Sequence, residues 1–205
     1  MKSAQTFLLN FVLLILCFDP LSYSQAASNS QGDPYEGWET FSQEDYAIRY
    51  PADWTITPPS ESPDEAFSID ASFPTEIAEL PDRLYIGLNM ITDSSANFVN
   101  LEDLSPAQLD EYVEALTGLL SETSKTWEVK AIDNPAGRYL QLIYVADEGD
   151  GVVIKAEQRI WIRNYKCYTL TFGGMQNAFD RHREIGEKIL DSFRLNPSAS
   201  PERAP

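Results

Sequence analysis

Apolar positions in this 205-residue chain change their period several times. Tyr46, Ile48 and Tyr50 alternate with Ala47 and Arg49, the two-residue period of a half-buried strand, and Pro51 ends that run because it cannot donate a ladder hydrogen bond. Trp38 and Phe41 precede the turn Gln43-Glu44-Asp45, so the segment reads as a hairpin. Trp54, Ile56 and the pair Pro58-Pro59 follow. Phe67, Ile69 and Ala71 alternate again, and Leu84, Ile86, Leu88 and Met90 share one face of a longer strand from Arg83 to Thr92. At Ser105 the period lengthens. Ser105 caps, Pro106 suits the first helical position, and Gln108 completes a capping box. Leu109, Tyr112, Val113, Leu116, Leu119 and Leu120 then recur at helical spacing. Lys125 to Ile132 is a strand. A meander follows: Arg138 to Val145, Val152 to Arg163 and Lys166 to Phe172. The turn Asp147-Glu148-Gly149-Asp150-Gly151 joins the first two of these, and Asn164 opens the next turn. Gly173-Gly174 is expected to break the last strand, and one closing helix is expected from Asn177 to Phe193. Several strands with short turns and two helices predict an α+β domain, a mostly antiparallel sheet with its helices packed on its faces.

The chain ends differ from this middle. Lys2, the apolar run Phe7 to Cys17, the helix breaker Pro20 and the small residues of Ser24-Gln25-Ala26 have the form of a secretory signal cleaved after Ala26. The run is shorter than the roughly 20 apolar residues of a membrane span. Residues 27–36 read as a flexible leader, 37–195 as one domain and 196–205 as a disordered tail. Cys17 offers a second processing route, lipidation after cleavage just before it, although bulky Leu16 stands where such signals place a small residue. The expected location is therefore outside the cytoplasm: a periplasm or thylakoid lumen, with a lipid anchor at Cys17 as the alternative. Cleavage after Ala26 leaves Cys167 as a lone cysteine, read as a small buried apolar residue on a strand.

Charge narrows the functional classes. Fifteen Lys and Arg stand against 32 Asp and Glu, for a net charge of −17, and removing residues 1–26 takes one charge of each sign. Nucleic acid and anionic lipid both require clustered cations, so neither is an expected partner. The chain holds one histidine, His182, between Arg181 and Arg183. With one histidine and one mature cysteine, neither a nucleophilic triad nor a zinc site has its ligands. No catalytic residue, cofactor or metal site is assigned. The acidic turn at Asp147-Glu148-Gly149-Asp150-Gly151 lacks the spacing of a helix-loop-helix calcium loop and reads as a hairpin turn, with weak calcium binding as the alternative. Arg159, Trp161 and Arg163 share the strand face opposite Ile160 and Ile162. If no helix covers that face, these three are the expected protein interface, since Trp and Arg are enriched at such surfaces.

Two motifs resemble a known family. Tyr46-Ala47-Ile48-Arg49-Tyr50-Pro51-Ala52-Asp53-Trp54 resembles the opening of PsbP-like domains, and Ile189-Leu190-Asp191-Ser192-Phe193 resembles their closing signature. Gln158 to Phe172 is similar to the family's late hairpin, and the resemblance runs over about residues 38–195. It implies an α/β/α sandwich around an antiparallel sheet. It also implies a non-enzymatic accessory role on the trans side of a membrane: docking on or assisting a membrane complex, of photosystem II type if the source is photosynthetic. The alternative is a general envelope protein of DcrB type with a ligand- or calcium-binding role.

Overall fold

The computed structural model describes residues 34–58, 65–73, 82–92, 100–134, 137–149 and 151–196. The signal segment with Cys17, most of the leader and the tail beyond Asn196 lie outside the described residues.

Ten strands and three α-helices follow in chain order among these residues: β1 (Trp38–Ser42), β2 (Tyr46–Pro51), β3 (Thr55–Thr57), β4 (Glu65–Phe73), β5 (Asp82–Thr92), α1 (Pro106–Thr123), β6 (Thr126–Ile132), β7 (Tyr139–Gly149), β8 (Val152–Arg163), β9 (Lys166–Met175), α2 (Gln176–Arg181), α3 (Arg183–Ser192) and β10 (Arg194–Leu195). A 3-10 turn at Leu101–Asp103 precedes α1. Seven strands form one antiparallel sheet in the order β3-β4-β5-β9-β8-β7-β6, and β1-β2-β10 form a second, smaller one.

Alternation assigns the two faces of the large sheet. Leu140, Leu142 and Tyr144 of β7 and Ala156, Ile160 and Ile162 of β8 pack with Leu116 and Leu120 of α1 and with Leu101 and Leu104 beside the 3-10 turn. On the other face, Ile86, Leu88, Trp161, Leu170 and Phe172 meet Tyr46, Ile48 and Tyr50 of the small sheet and Phe179, Ile189 and Leu190 of α2 and α3. Helices therefore lie on both sides of the sheet, the α/β/α layering expected of the domain. Phe67, Phe172, Phe179, Ile48 and Leu170 are among the fully buried side chains. Each contributes about 1.5–3 kcal/mol of transfer free energy. No helix of the described residues is long and apolar enough to cross a membrane.

The local signals form as read. The Ser105 hydroxyl accepts from the Gln108 N–H, and the Gln108 carboxamide oxygen accepts from the Ser105 N–H at 3.0 Å, the reciprocal capping box. Asn164 and Tyr165 both adopt positive φ, 53° and 61°, the two-residue turn whose twist matches a β-hairpin.

Three expectations are corrected. Gly173-Gly174 do not break β9, which continues to Met175 with both glycines buried. Tyr85 stands opposite Gly173 on β5, and its hydroxyl lies only 2.9 Å from where a Cβ would sit, so the aromatic ring supplies the packing that glycine lacks. The closing helix is two helices, not one. His182 takes φ −109°, ψ 15°, in the bridge region between α2 and α3, while both helices seat on the Phe172 ring through Phe179 and Gly186. The acidic turn is shorter than five residues, because β7 pairs with β8 as far as Gly149 opposite Val152. Cys167 is buried on β9, and desolvation pushes its thiol up to about 11.

Candidate functional site

The three residues singled out on β8 have separate fates, because α3 and the small sheet cover their face. Arg159 is 5% exposed. Its Nε donates to Glu157 Oε1 at 3.0 Å, its Nη1 donates to Asp191 Oδ1 of α3 at 2.6 Å, and its guanidinium lies 5.3 Å from the Tyr139 ring centroid. Glu157, itself buried, also accepts from Gln141 Nε2 at 2.8 Å. The Arg159–Glu157 pair is buried within β8, and Arg159 ties the sheet to α3 through the exposed carboxylate of Asp191. Trp161 is wedged between Tyr139 and Phe193, with centroids at 5.2 and 4.8 Å. Only Arg163 reaches toward solvent, where it lines a shallow cleft with Glu102, Arg138 and Leu195. The condition under which the trio forms a surface, an uncovered face, is not met at Arg159 and Trp161.

The two end motifs meet in space. Ser192 Oγ accepts from the Arg49 N–H at 2.9 Å and lies 2.6 Å from the Ile189 carbonyl. Phe193 stacks on Tyr46 at 6.0 Å, and β10 pairs with β2. The opening Tyr-Pro strand and the closing Ser-Phe turn are thus two halves of one contact, which gives their co-occurrence a packing cause. Outside the boundaries read from composition, Tyr35 packs edge-on against Trp38 and donates to the Lys188 carbonyl, and Asn196 bonds the carbonyls of Gln43 and Glu44.

The candidate chemical groups are placed as follows. His182 sits at the junction of α2 and α3, half-buried, with Arg183 paired to Glu187 at 2.6 Å. In the acidic turn, the Asp147 carboxylate accepts from Lys125 at 2.6 Å and from the Gly149 N–H, and these bonds hold its pKa below the ordinary range. Among the described residues, no three His, Cys, Asp or Glu side chains gather where a metal could bind.

A different surface stands out. The 3-10 turn and α1 carry Glu102, Asp103, Asp110, Glu111, Glu114 and Glu122, all exposed, and no cation lies between Leu101 and Thr123. On α1, Glu111, Glu114 and Glu122 fall on one stripe, with Gly118 between them. This run is visible in the sequence, but only the buried Leu116 and Leu120 on the opposite side show that it faces outward. Asp110 and Glu114 at i,i+4 repel each other, and Glu122 at the helix C-terminus opposes the macrodipole, each by a few tenths of a kcal/mol. The stripe therefore costs the helix stability.

These residues define a layered α+β domain with an acidic outer helix. No protein-family model matches the chain, and no curated protein matches it either. Solved structures similar to it include the cyanobacterial PsbP (CyanoP) of Synechocystis sp. PCC 6803, at 16% identity and TM-score 0.47, covering 82% of this chain and 98% of that one. LpqN of Mycobacterium tuberculosis, involved in cell envelope biogenesis, is similar at 15% identity and TM-score 0.49, covering 81% of this chain and 87% of that one. CyanoP is of the family that the two end motifs resemble.

Proposed function

We propose that this protein is an exported, non-enzymatic accessory protein that docks on a basic surface of a membrane protein complex through the outer face of α1. The observation that carries the reading is the single-sign stripe Glu111, Glu114 and Glu122, with Asp110 beside it, exposed on a helix that the Asp110–Glu114 repulsion and the C-terminal Glu122 destabilise. A surface kept against its own stability cost points to a partner, and a net charge of −17 steers encounter with a positive patch. The N-terminal signal pattern supports export, and the PsbP-like end motifs support an accessory role in place of catalysis. On this reading the nature of the complex, photosystem or general envelope, follows the source membrane.

The test is affinity capture from detergent extracts of the source membranes with the wild-type chain and with a Glu111→Lys/Glu114→Lys/Glu122→Lys variant. The variant turns the Asp110–Glu114 repulsion into an attraction and places a cation at the helix C-terminus, so it folds at least as stably. The wild type is expected to retain a discrete basic partner that elutes with rising salt, and the variant to lose it. Equal retention of that partner by both proteins, or no specific partner for the wild type, sinks the proposal.

A further inference from the structure

The large sheet ends at β6, and no described strand pairs with the outer edge of that strand. Thr126, Trp127, Glu128, Lys130 and Ala131 are exposed there, and Trp127 is 39% accessible, one of two large apolar side chains so exposed among the described residues. An open edge is a template for strand addition unless its side chains forbid pairing. The side chains of β6 select a partner: β6 itself.

We infer that the protein forms a two-fold dimer in which β6 pairs antiparallel with β6 of a second copy, centred on Val129. In that register Glu128 faces Lys130 of the second copy and Lys130 faces its Glu128. One step beyond the strand on either side, Lys125 faces Asp133 and Asp133 faces Lys125. Every charged position thus meets its opposite. Trp127 faces Ala131, a large ring over a small residue, on the side of the sheet that carries α1, where Trp127 pairs with Tyr144 and Ala131 with Leu140 in β7. All seven residues of β6 take part.

The neighbouring registers fail. Centring on Glu128 sets Glu128 against its own copy, and centring on Lys130 sets Lys130 against its own. Like charges directly opposite are destabilising. A shift by one residue instead would place side chains from opposite faces together, which the pleat forbids. Like charges reject the registers on either side, and centring on Trp127 or Ala131 would pair only three residues of the strand, so the Val129-centred register alone pairs all of β6 and sets every charge against its opposite, as an isologous contact requires.

Within one chain these charges are already paired locally, Lys125 with Asp147, Glu128 with Lys130 and Asp133 with Arg138. These pairs are largely solvent-exposed, so exchanging them for cross-strand partners costs little. The dimer joins two seven-stranded sheets into one and puts both α1 helices on the same side. This inference is independent of the docking reading, and a monomer would leave that reading intact.

Sedimentation equilibrium on the purified chain as the cell delivers it, at about 0.15 M salt, tests the inference. That salt screens the long-range repulsion of two acidic copies beyond about 8 Å. Four proteins are compared: wild type, Glu128→Lys, Lys130→Glu, and the double exchange Glu128→Lys/Lys130→Glu. The wild type is expected to dimerise. Each single variant turns both central charge pairs into like-charge pairs and is expected to weaken the dimer at least tenfold. The double variant restores opposite charges across the two-fold and is expected to return to near wild-type affinity. Thermal melts of all four should be alike, which separates loss of pairing from loss of fold. A wild type that stays monomeric up to about 0.1 mM, where a dimer of micromolar strength would be formed, overturns the inference. So do single variants that dimerise as tightly as the wild type, or a double variant that fails to recover.

Discussion

Gly186 in α3 sits against the face of Phe172, and replacing it with alanine should destabilise the domain by about 2 kcal/mol. A Cβ at this position would lie 2.2 Å from Phe172 Cε1, 2.4 Å from Cζ and 2.5 Å from Cδ1. Relief requires more than an ångström of movement. The ring cannot easily supply it, because Phe172 is fully buried and packs on Phe179 at 4.8 Å. The helix cannot easily lift either, because Ser192 at its last residue is bonded to Arg49 of β2. Overpacking of this kind costs typically 1–3 kcal/mol and here falls at or above about 3. Alanine returns about 1 kcal/mol of helix propensity. The net loss should lower the melting temperature by about 4–8 °C for a domain of this size. Circular dichroism melts and urea titration measure it. Gly118→Ala on α1 is the control, since nothing lies within 4 Å of its Cβ position. The same substitution there should stabilise by up to about 1 kcal/mol. If Gly186→Ala were as stable as the wild type, or matched Gly118→Ala, the close seating of α3 on the sheet would be refuted.

Three further outcomes are expected. Arg159→Ala leaves Glu157 as an uncompensated buried charge and should cost about 3–5 kcal/mol, whereas Arg159→Met with Glu157→Gln should recover most of that in urea titration; equal losses would show that the ion pair is not what the site needs. Tyr165→Gly relieves a left-handed residue and should raise stability by about 1 kcal/mol, seen as a higher urea midpoint; a lower midpoint would mean that the Tyr165 ring outweighs its strain. Burial raises Tyr46 and Tyr85 to about 12 and the Cys167 thiol to about 11. Each raised pKa adds stability that is full below the unfolded value, near 10 for tyrosine and 9 for cysteine, and is lost as pH climbs through the folded value. Unfolding by circular dichroism should therefore set in between about pH 9 and 12, with part of the 295 nm tyrosinate signal withheld until it does. Complete tyrosine ionisation in a folded chain would contradict this burial.

Local signals carried much of the architecture. The alternation of Tyr46, Ile48 and Tyr50, the Ser105–Gln108 box and the β8 periodicity each depend on neighbours within a few residues, and each formed as read. What escaped depends on distant partners. Gly173-Gly174 look like a break until β5, far back in the chain, pairs with them and Tyr85 covers Gly173. The hinge at His182 answers to Phe172, a residue on another element. Alternation placed Arg159, Trp161 and Arg163 on one face but could not say what lies on that face; Asp191 and Phe193 of the closing segment settle it. The acidic run of α1 was present in the sequence but merged with an overall charge spread along the chain. Its meaning came from the burial of Leu116 and Leu120 on the opposite side. The self-complementary order of Lys125, Glu128, Lys130 and Asp133 carries no information until β6 is known to be an edge.

The docking claim is tested most directly by site-specific photo-crosslinking in the native membrane. A photoreactive residue replaces Glu114 on the outer face of α1 in one protein and Glu184 on α3, across the sheet, in another; both positions are exposed. The account predicts a discrete higher-mass adduct from position 114, weakened by raised salt, and none from position 184. An adduct from 184 with none from 114 would contradict it.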